Sequence, residues 1–290
     1  MDDELQLPDK EVFEDPRELP RTGSTILRLK SGRLDLEVFT RVFVNQLKLI
    51  KSEATKLCQQ ESGILVDNID PKLAEALAGE LRSLGEECVV VPAADLMMLP
   101  RPYPVHAVRL TRSGLSVRGT GEDWVQLAWD ELAVLALGQV TFEEQHTRST
   151  DSLLTRRITP ISAMGGVGGA VGAAMAVSGA MQGRTTTTKS SQLRQLLDLV
   201  SDGGQQYYRI DGRHFDYSIL GDQIGHSSTA NILTFSRWLL SYSPKACTNI
   251  DSKQLQQTGT CPIPSHSLHG LSDIAKWLLN LRKLGCPQTL

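Results

Sequence analysis

The sequence predicts an α+β protein in which a small two-layer α/β module precedes a second part made of short β-strands and a helix. Three patterns indicate this fold. A capped amphipathic helix lies between short apolar runs in residues 34–95, several strand-like runs joined by tight turns follow residue 103, and a helical pattern covers about 228–240. The chain has 290 residues and ordinary hydrophobic and charged fractions of 40% and 22%, which favour two modest globular domains.

The helix at residue 70 is the clearest element of the first module. Asp70 is a natural N-cap, Pro71 takes the first helical position, and Gly85 ends the pattern. Between them lies an apolar stripe at helical spacing, formed by Leu73, Ala74, Leu77, Leu81 and Leu84. Strands are expected at 64–66 and 87–91, and a short helix at 51–60. The even spacing of Leu36, Val38, Val42 and Val44 predicts a further strand.

Residues 70–77, with Leu81, Gly85 and the strand at 89–91, resemble the ferredoxin-like modules in the C-terminal part of ribosomal stalk proteins. The resemblance covers under a quarter of the chain and implies a ferredoxin-like α/β module at 34–95.

The second module follows a stiff connector that contains Pro100, Pro102 and Pro104. Alternating or apolar runs predict short strands, at 105–110, 115–117, 124–129 and 134–140. Further on, 207–210 and 214–218 flank Asp211-Gly212, which predicts a two-residue hairpin. Ser228 or Thr229 is expected to cap a helix that ends before Pro244.

Gly114-Leu115, the stretch at 127–132 and the helix at 228–240 resemble the pleckstrin-homology-like (PH-like) barrel, in which a C-terminal helix closes one open end. The resemblance places a barrel at 103–242, interrupted by a flexible Gly/Ala/Thr-rich insertion at 145–192, and it implies recognition of a peptide or a lipid headgroup. Two separate small β-rich pieces are the alternative. Residues 243–290 are expected to form a loop and an amphipathic helix.

Two segments are unusual in composition. Residues 1–22 are acidic and proline-containing, which predicts a disordered tail. Residues 158–183 contain no Asp, Glu, Lys or Arg, but seven Gly and six Ala. This tract lacks the residues of a phosphate-binding loop, so we expect a flexible linker, with a membrane-spanning segment as the alternative. The absence of a signal-peptide pattern and the five irregularly spaced cysteines favour a cytoplasmic location.

Few residues suggest chemistry. Asp211, His214 and Asp216 are a speculative acid–base or metal group, because alternate residues of a strand share a face. Cys261, His266 and His269 have a compact spacing but no fourth ligand for zinc, and a polar loop is the simpler interpretation. No nucleophile motif is present, and the four tryptophans are expected to pack in cores. We therefore predict no catalytic residue, cofactor or metal.

The resulting hypothesis is a non-enzymatic binding or adaptor protein that engages a protein partner through the PH-like barrel. A net charge of −3 and scattered basic residues argue against nucleic acid as the partner. Two alternatives stay open: a protein anchored in a membrane by residues 158–183, and an enzyme that uses Asp211, His214 and Asp216.

Overall fold

The computed structural model describes residues 21–30, 34–59, 63–119, 121, 123–149 and 185–286. They form a mixed α+β structure with three sheets, none of which closes into a barrel within these residues. The chain divides into two units, one of residues 1–140 with 194–290 and the other of residues 141–193. The predicted acidic tail, up to residue 20, lies outside the described residues.

A three-stranded antiparallel sheet organises the first part of the larger unit, residues 21–96. Its strands are β1 (Ser24–Arg28), β2 (Ile64–Ile69) and β3 (Cys88–Pro92), in the order β2-β1-β3. The sequence analysis assigned no structure to β1, although it is the central strand and all five of its residues are buried. Both neighbours pair with β1, so it supplies the hydrogen bonds on which the sheet depends.

Three helices accompany this sheet: α1 (Leu36–Leu47), α2 (Lys51–Gln59) and α3 (Pro71–Ser83). The predicted helix at residue 70 is confirmed, with the Asp70 side chain accepting from the N–H groups of Lys72 and Leu73. The strand predicted at residues 36–44 is wrong, because this segment is helix α1.

The physical reason for that difference lies in spacing and capping. Phe39, Val42 and Phe43 are buried at helical spacing, whereas Leu36 and Val38 are exposed. The Asp35 side chain caps the helix by accepting from two backbone N–H groups. The even-numbered apolar residues therefore do not share one buried face.

The second part of this unit begins with strands β4 (Tyr103–Val105), β5 (Ala107–Leu110), β6 (Gly114–Arg118) and β7 (Val125–Ala128). Strands β5, β6 and β7 form an antiparallel sheet in chain order, as the turn pattern predicts. Strand β4 instead pairs in parallel with a strand of the other sheet.

That other sheet contains the longest strands, β8 (Leu132–Ser149) and β9 (Thr185–Ser201), followed by β10 (Tyr207–Asp211), β11 (Cys247–Thr248) and β12 (Ser265–His266). The order is β11-β8-β9-β10-β4, with β12 also on β8. The hairpin predicted at Asp211-Gly212 is wrong: residues 217–223 are 3₁₀-helical, and no strand follows β10 directly. The Asp211 carbonyl accepts from the N–H of His214, which closes a turn there.

Helices α4 (Ser228–Tyr242), α5 (Ser252–Thr258) and α6 (Leu268–Lys283) complete the unit. The helix predicted before Pro244 is confirmed as α4, but its N-cap is Ser227, one residue before the predicted Ser228 or Thr229. Helix α4 packs Phe235 and Leu239 into the core of the second part. The core of the second part is mainly aliphatic and contains residues from both sheets. It includes Leu115, Leu127, Leu135, Leu197 and Ile232.

Helix α6 contacts both parts of the larger unit. The Nε1 of Trp277 donates to the carbonyl oxygen of Arg28 in β1 at 2.8 Å. Asn280 binds the backbone of Met97 through both its Oδ1 and its Nδ2. Nine residues of α6 are buried, so this helix is part of the core of the larger unit.

The smaller unit, residues 141–193, contains the distal part of β8 and the beginning of β9. The range of the predicted insertion, 145–192, falls wholly within this unit, and the Gly/Ala-rich tract at 158–183 lies outside the described residues.

Two glycines provide a matched test of the α6 packing. A Cβ on Gly63 would lie 2.0 Å from Cε2 of the Trp277 ring, whereas a Cβ on Gly79 in α3 would meet no atom within 4 Å. We expect Gly63→Ala to lower the free energy of unfolding by about 1–3 kcal/mol through overpacking. Gly79→Ala should raise it by about 0.5–1 kcal/mol, since alanine is the better helix former. Urea denaturation followed by circular dichroism measures both, and equal effects would contradict the close packing.

Candidate binding surface

The sheet β5-β6-β7 has one apolar and one polar face, as alternation along its strands requires. Its inner face contributes Val108, Leu115, Val117 and Leu127 to the core. The opposite face carries Arg109, Ser116, Arg118 and Gln126. These residues are exposed or half-buried.

Two arginines of this outer face share one aromatic ring. The guanidinium carbons of Arg109 and Arg118 lie 4.0 and 5.0 Å from the centroid of the Trp124 ring. Arg109 pairs with Ser116 in the register, so it is a diagonal neighbour of Arg118 across the two strands. Both distances are in the range of cation–π attraction.

Tyr103 lies beside the end of β6. A Cβ on Gly119 would lie 2.3 Å from Cε1 of Tyr103, so the ring covers the backbone next to Arg118. The Tyr103 ring also meets Tyr208 edge to face, with centroids 6.3 Å apart, and Tyr103 remains 41% exposed. Because side chains alternate along a strand, the contact with Gly119 places Tyr103 on the face opposite to Arg118. We call Arg109, Arg118 and Trp124 the arginine–tryptophan surface.

Among the described residues, no carboxylate pairs directly with either of the two arginines. Within the described part of the chain, neither Arg109 nor Arg118 forms an ion pair within 4.0 Å. Hydrogen bonding from Ser218 is the main cause of the lowered pKa of the Asp216 carboxyl. The positive charge of nearby Arg118 also contributes to this lowering. The positive charge of the pair is thus directed at solvent, with Asp216 at its border.

The three residues singled out from the sequence occupy different settings. Asp211 pairs with Arg194 at 3.3 Å and accepts from the N–H of Arg213. Asp216 accepts from the N–H of Ser218 at 2.9 Å and caps the 3₁₀-helix at 217–223. His214 is exposed. Both carboxylates therefore stabilise turns of the backbone.

The described residues give no support for a metal site. Across the described residues, no group of three or more His, Cys, Asp or Glu side chains could hold an ion. Cys261 is buried in the aliphatic core of the second part, and burial raises the pKa of its thiol. The compact spacing of Cys261, His266 and His269 in sequence thus does not produce a metal site.

A buried ion pair joins strands β9 and β10 to helix α6. Asp198, with no exposed surface, accepts from Nε and Nη2 of Arg209 at 2.6 Å each and from the Tyr207 hydroxyl at 2.5 Å. The Oγ of Ser272 in α6 lies 2.9 Å from Nη2 of Arg209 and 3.1 Å from the Tyr207 oxygen. This closed arrangement fixes α6 against the sheet.

The pKa shifts in this cluster follow from burial and pairing. Burial raises the pKa of the Asp198 carboxyl, and the hydrogen bonds from Arg209 and Tyr207 oppose that rise. Burial alone would lower the pKa of Arg209, but the contact with Asp198 raises it. Burial and the Asp198 charge raise the pKa of Tyr207, so its phenol stays protonated as a donor. Asp198, Arg209 and Tyr207 therefore use their polar groups for hydrogen bonds within this cluster.

A second polar cluster joins β2 to α6. Asp67 accepts from the Thr25 hydroxyl at 2.5 Å and pairs with Arg21 at 3.1 Å and Lys276 at 3.3 Å. Burial alone would raise the pKa of Asp67, but the Thr25 hydrogen bond and the two cations outweigh it and lower the pKa.

The sequence interpretation missed the arginine–tryptophan surface because it assigned all four tryptophans to packing. Trp277 does pack in a core, and Trp129 stacks on Tyr242 with centroids 4.7 Å apart. Trp124 differs. A signal for it exists in the alternation of arginine with apolar residues along 107–110 and 115–118.

No helix among the described residues has the length and apolar character to cross a bilayer. Comparison of the chain with protein-family models, with curated proteins and with solved structures finds no match.

The buried pair gives a stability prediction. Arg209→Ala leaves the Asp198 carboxylate buried and unpaired, so we expect a loss of about 3–5 kcal/mol in the free energy of unfolding. Lys30→Ala, which removes an exposed pair with Glu87, should cost about 0.5 kcal/mol or less and serves as the control. Urea denaturation measures both. A cost below that of the control would contradict the role given to Arg209.

Asp67 gives a pH prediction. Its folded-state pKa lies below the unfolded value, so its contribution to stability is present above the unfolded pKa and is lost as pH falls through the folded pKa. Wild type should thus be more stable than Asp67→Asn at neutral pH. The difference should shrink as the pH falls below about 4, the usual Asp pKa. Thermal unfolding across this pH range measures it, and a difference that does not change with pH would refute the assignment.

Proposed function

We propose that this protein is a non-enzymatic binding or adaptor protein that recognises an acidic segment of a protein partner at the arginine–tryptophan surface. The observation that carries the proposal is the pair of guanidinium groups on the single Trp124 ring, with no ion pair to either in the described residues. Each later step of the proposal rests on that pair.

The pair favours an anion for electrostatic reasons. Arg109 and Arg118 are diagonal neighbours, so their like charges repel each other, and the face of Trp124 offsets this only in part. A guanidinium against a ring keeps the N–H donors at its edge available, and these suit the two oxygens of a carboxylate. A carboxylate between the arginines would relieve the repulsion and use these donors.

The surroundings favour a protein partner over a polyanion. Asp123 and Asp216 carry negative charge at the border of the surface, and the whole chain has a net charge of −3. A nucleic acid or an anionic bilayer would meet this repulsion over many charges, whereas a short acidic segment would meet it once. Trp124 adds apolar contact area of the kind that peptide-binding surfaces use.

The fold relationships expected from the sequence belong to the same proposal. Strands β4 to β10 followed by α4 have the order of a PH-like barrel, in support of that relationship. The split of β2 and β3 around β1 is of the ferredoxin-like kind, although three strands stand where that fold has four. PH-like domains serve many ligands, so the site rather than the fold supports the function.

A peptide selection tests the proposal. We expect the full chain to select acidic sequences from a display library of random linear peptides. Arg109→Ala and Arg118→Ala should each weaken binding of a selected peptide about tenfold, the value of one hydrogen bond to a charged group at about 1.5 kcal/mol. Binding should also weaken at high salt. Fluorescence anisotropy of the labelled peptide gives the affinities.

Arg112→Ala is the matched control, since Arg112 is an exposed arginine in the turn between β5 and β6 and makes no contact with the Trp124 ring. It should change the affinity by less than either surface variant. Selection of peptides without acidic residues, or equal binding by Arg109→Ala and Arg112→Ala, would overturn the proposal.

A further inference from the structure

A groove runs between helices α1 and α2 on the first part of the larger unit. It encloses about 520 Å³, which lies in the size range of sites that hold a small ligand or a few side chains. Leu36 and Val44 form its apolar lining, and Leu36 is 45% exposed. The groove therefore presents apolar surface to water.

The charged residues around the groove are mostly basic. Arg41 and Lys51 line it together with one acid, Glu37, which lies 3.6 Å from Arg41 as an exposed pair. Such a pair is weak enough for a second carboxylate to compete for the guanidinium. A fitting occupant thus carries apolar side chains next to acidic ones.

Residues 1–20 of this chain have that composition. They contain eight Asp or Glu residues against Lys10 and Arg17, and Val12-Phe13 stands between Glu11 and Glu14. Residue 21, which follows them, is paired to Asp67 on the same part of the unit as the groove. An extended chain of this length spans up to about 66 Å, more than twice the radius of gyration of about 13 Å for a domain of 100 residues.

We propose that residues 1–20 of this chain occupy the α1–α2 groove, with Val12 and Phe13 against Leu36 and Val44 and neighbouring carboxylates on Arg41 and Lys51. Charge complementarity and the covalent connection at residue 21 carry this assignment. The connection holds the segment near the groove at a high effective concentration, so a modest contact suffices. This proposal is independent of the arginine–tryptophan surface.

The groove suits this segment better than the arginine–tryptophan surface does. A concave apolar lining can remove Val12 and Phe13 from water, whereas the outer face of a sheet leaves them partly hydrated. The groove also lies on the part of the chain to which the segment is directly joined.

Zero-length cross-linking of the full chain tests the proposal. A carbodiimide joins a lysine amine to a carboxylate in contact with it, and peptide mass spectrometry identifies the product. We expect Lys51 to cross-link to Glu11, Glu14 or Asp15. Lys56, an exposed lysine further along α2 and outside the groove, is the internal control and should give little product.

Variants then assign the contact. Arg41→Glu should reduce the Lys51 product about fivefold, the effect of about 1 kcal/mol at an exposed charge. Phe13→Asp should reduce it through the apolar contact. Arg109→Ala with Arg118→Ala should leave it unchanged, which separates this proposal from the function proposed above. Circular dichroism confirms that each variant is folded.

Three outcomes would overturn the proposal. Lys51 and Lys56 could react equally, which would indicate collision rather than docking. The product could be lost with the Arg109 and Arg118 substitutions, which would place the segment on the other surface. In a mixture of isotope-labelled and unlabelled chains, mixed-label products would show that a second copy supplies the segment.

Discussion

The packing of Trp277 against β1 is the contact on which the larger unit most depends. The indole is 3% exposed, donates to the Arg28 carbonyl and fills the space over Gly63. Because β1 is the central strand of its sheet, this one ring ties helix α6 to the middle of the first part. Ser272 and Asn280 of the same helix reach Arg209 and Met97, so α6 satisfies polar groups on several elements at once.

Charge is used in two different ways in this unit. The ion pair of Asp198 with Arg209 is buried and fully hydrogen-bonded, and it fixes the orientation of the helix that covers it. Arg109 and Arg118 have the opposite setting, since their charges meet an aromatic ring and solvent. A buried ion pair stabilises the structure and is closed to ligands. Two arginines at the surface that pair with no carboxylate among the described residues remain open to an anion.

Elements with local signals were predictable from the sequence, and those that depend on distant contacts were not. Helix α3 has an N-cap, a proline and a helical stripe, and its prediction is confirmed. Strand β1 is five residues long and owes its position to β2 and β3, so nothing nearby marks it. In α1, the even-numbered apolar residues have the spacing that is typical of a strand, although the segment is a helix. Of the candidate site, Trp124 has no local signal, because the register of three strands brings it beside Arg109 and Arg118.

The hydrogen bond from Trp277 to Arg28 joins residues 249 positions apart. During synthesis at the ribosome, the residues of the first sheet emerge long before helix α6 does, and until then the β1 strand lacks its covering indole. Contacts of such long range form late and slow the folding of a domain, because the intervening chain must be closed into a loop first. The nascent first part would thus expose the site over Gly63 while most of the chain is still being made, a period in which a chaperone or a neighbouring nascent chain has access to it.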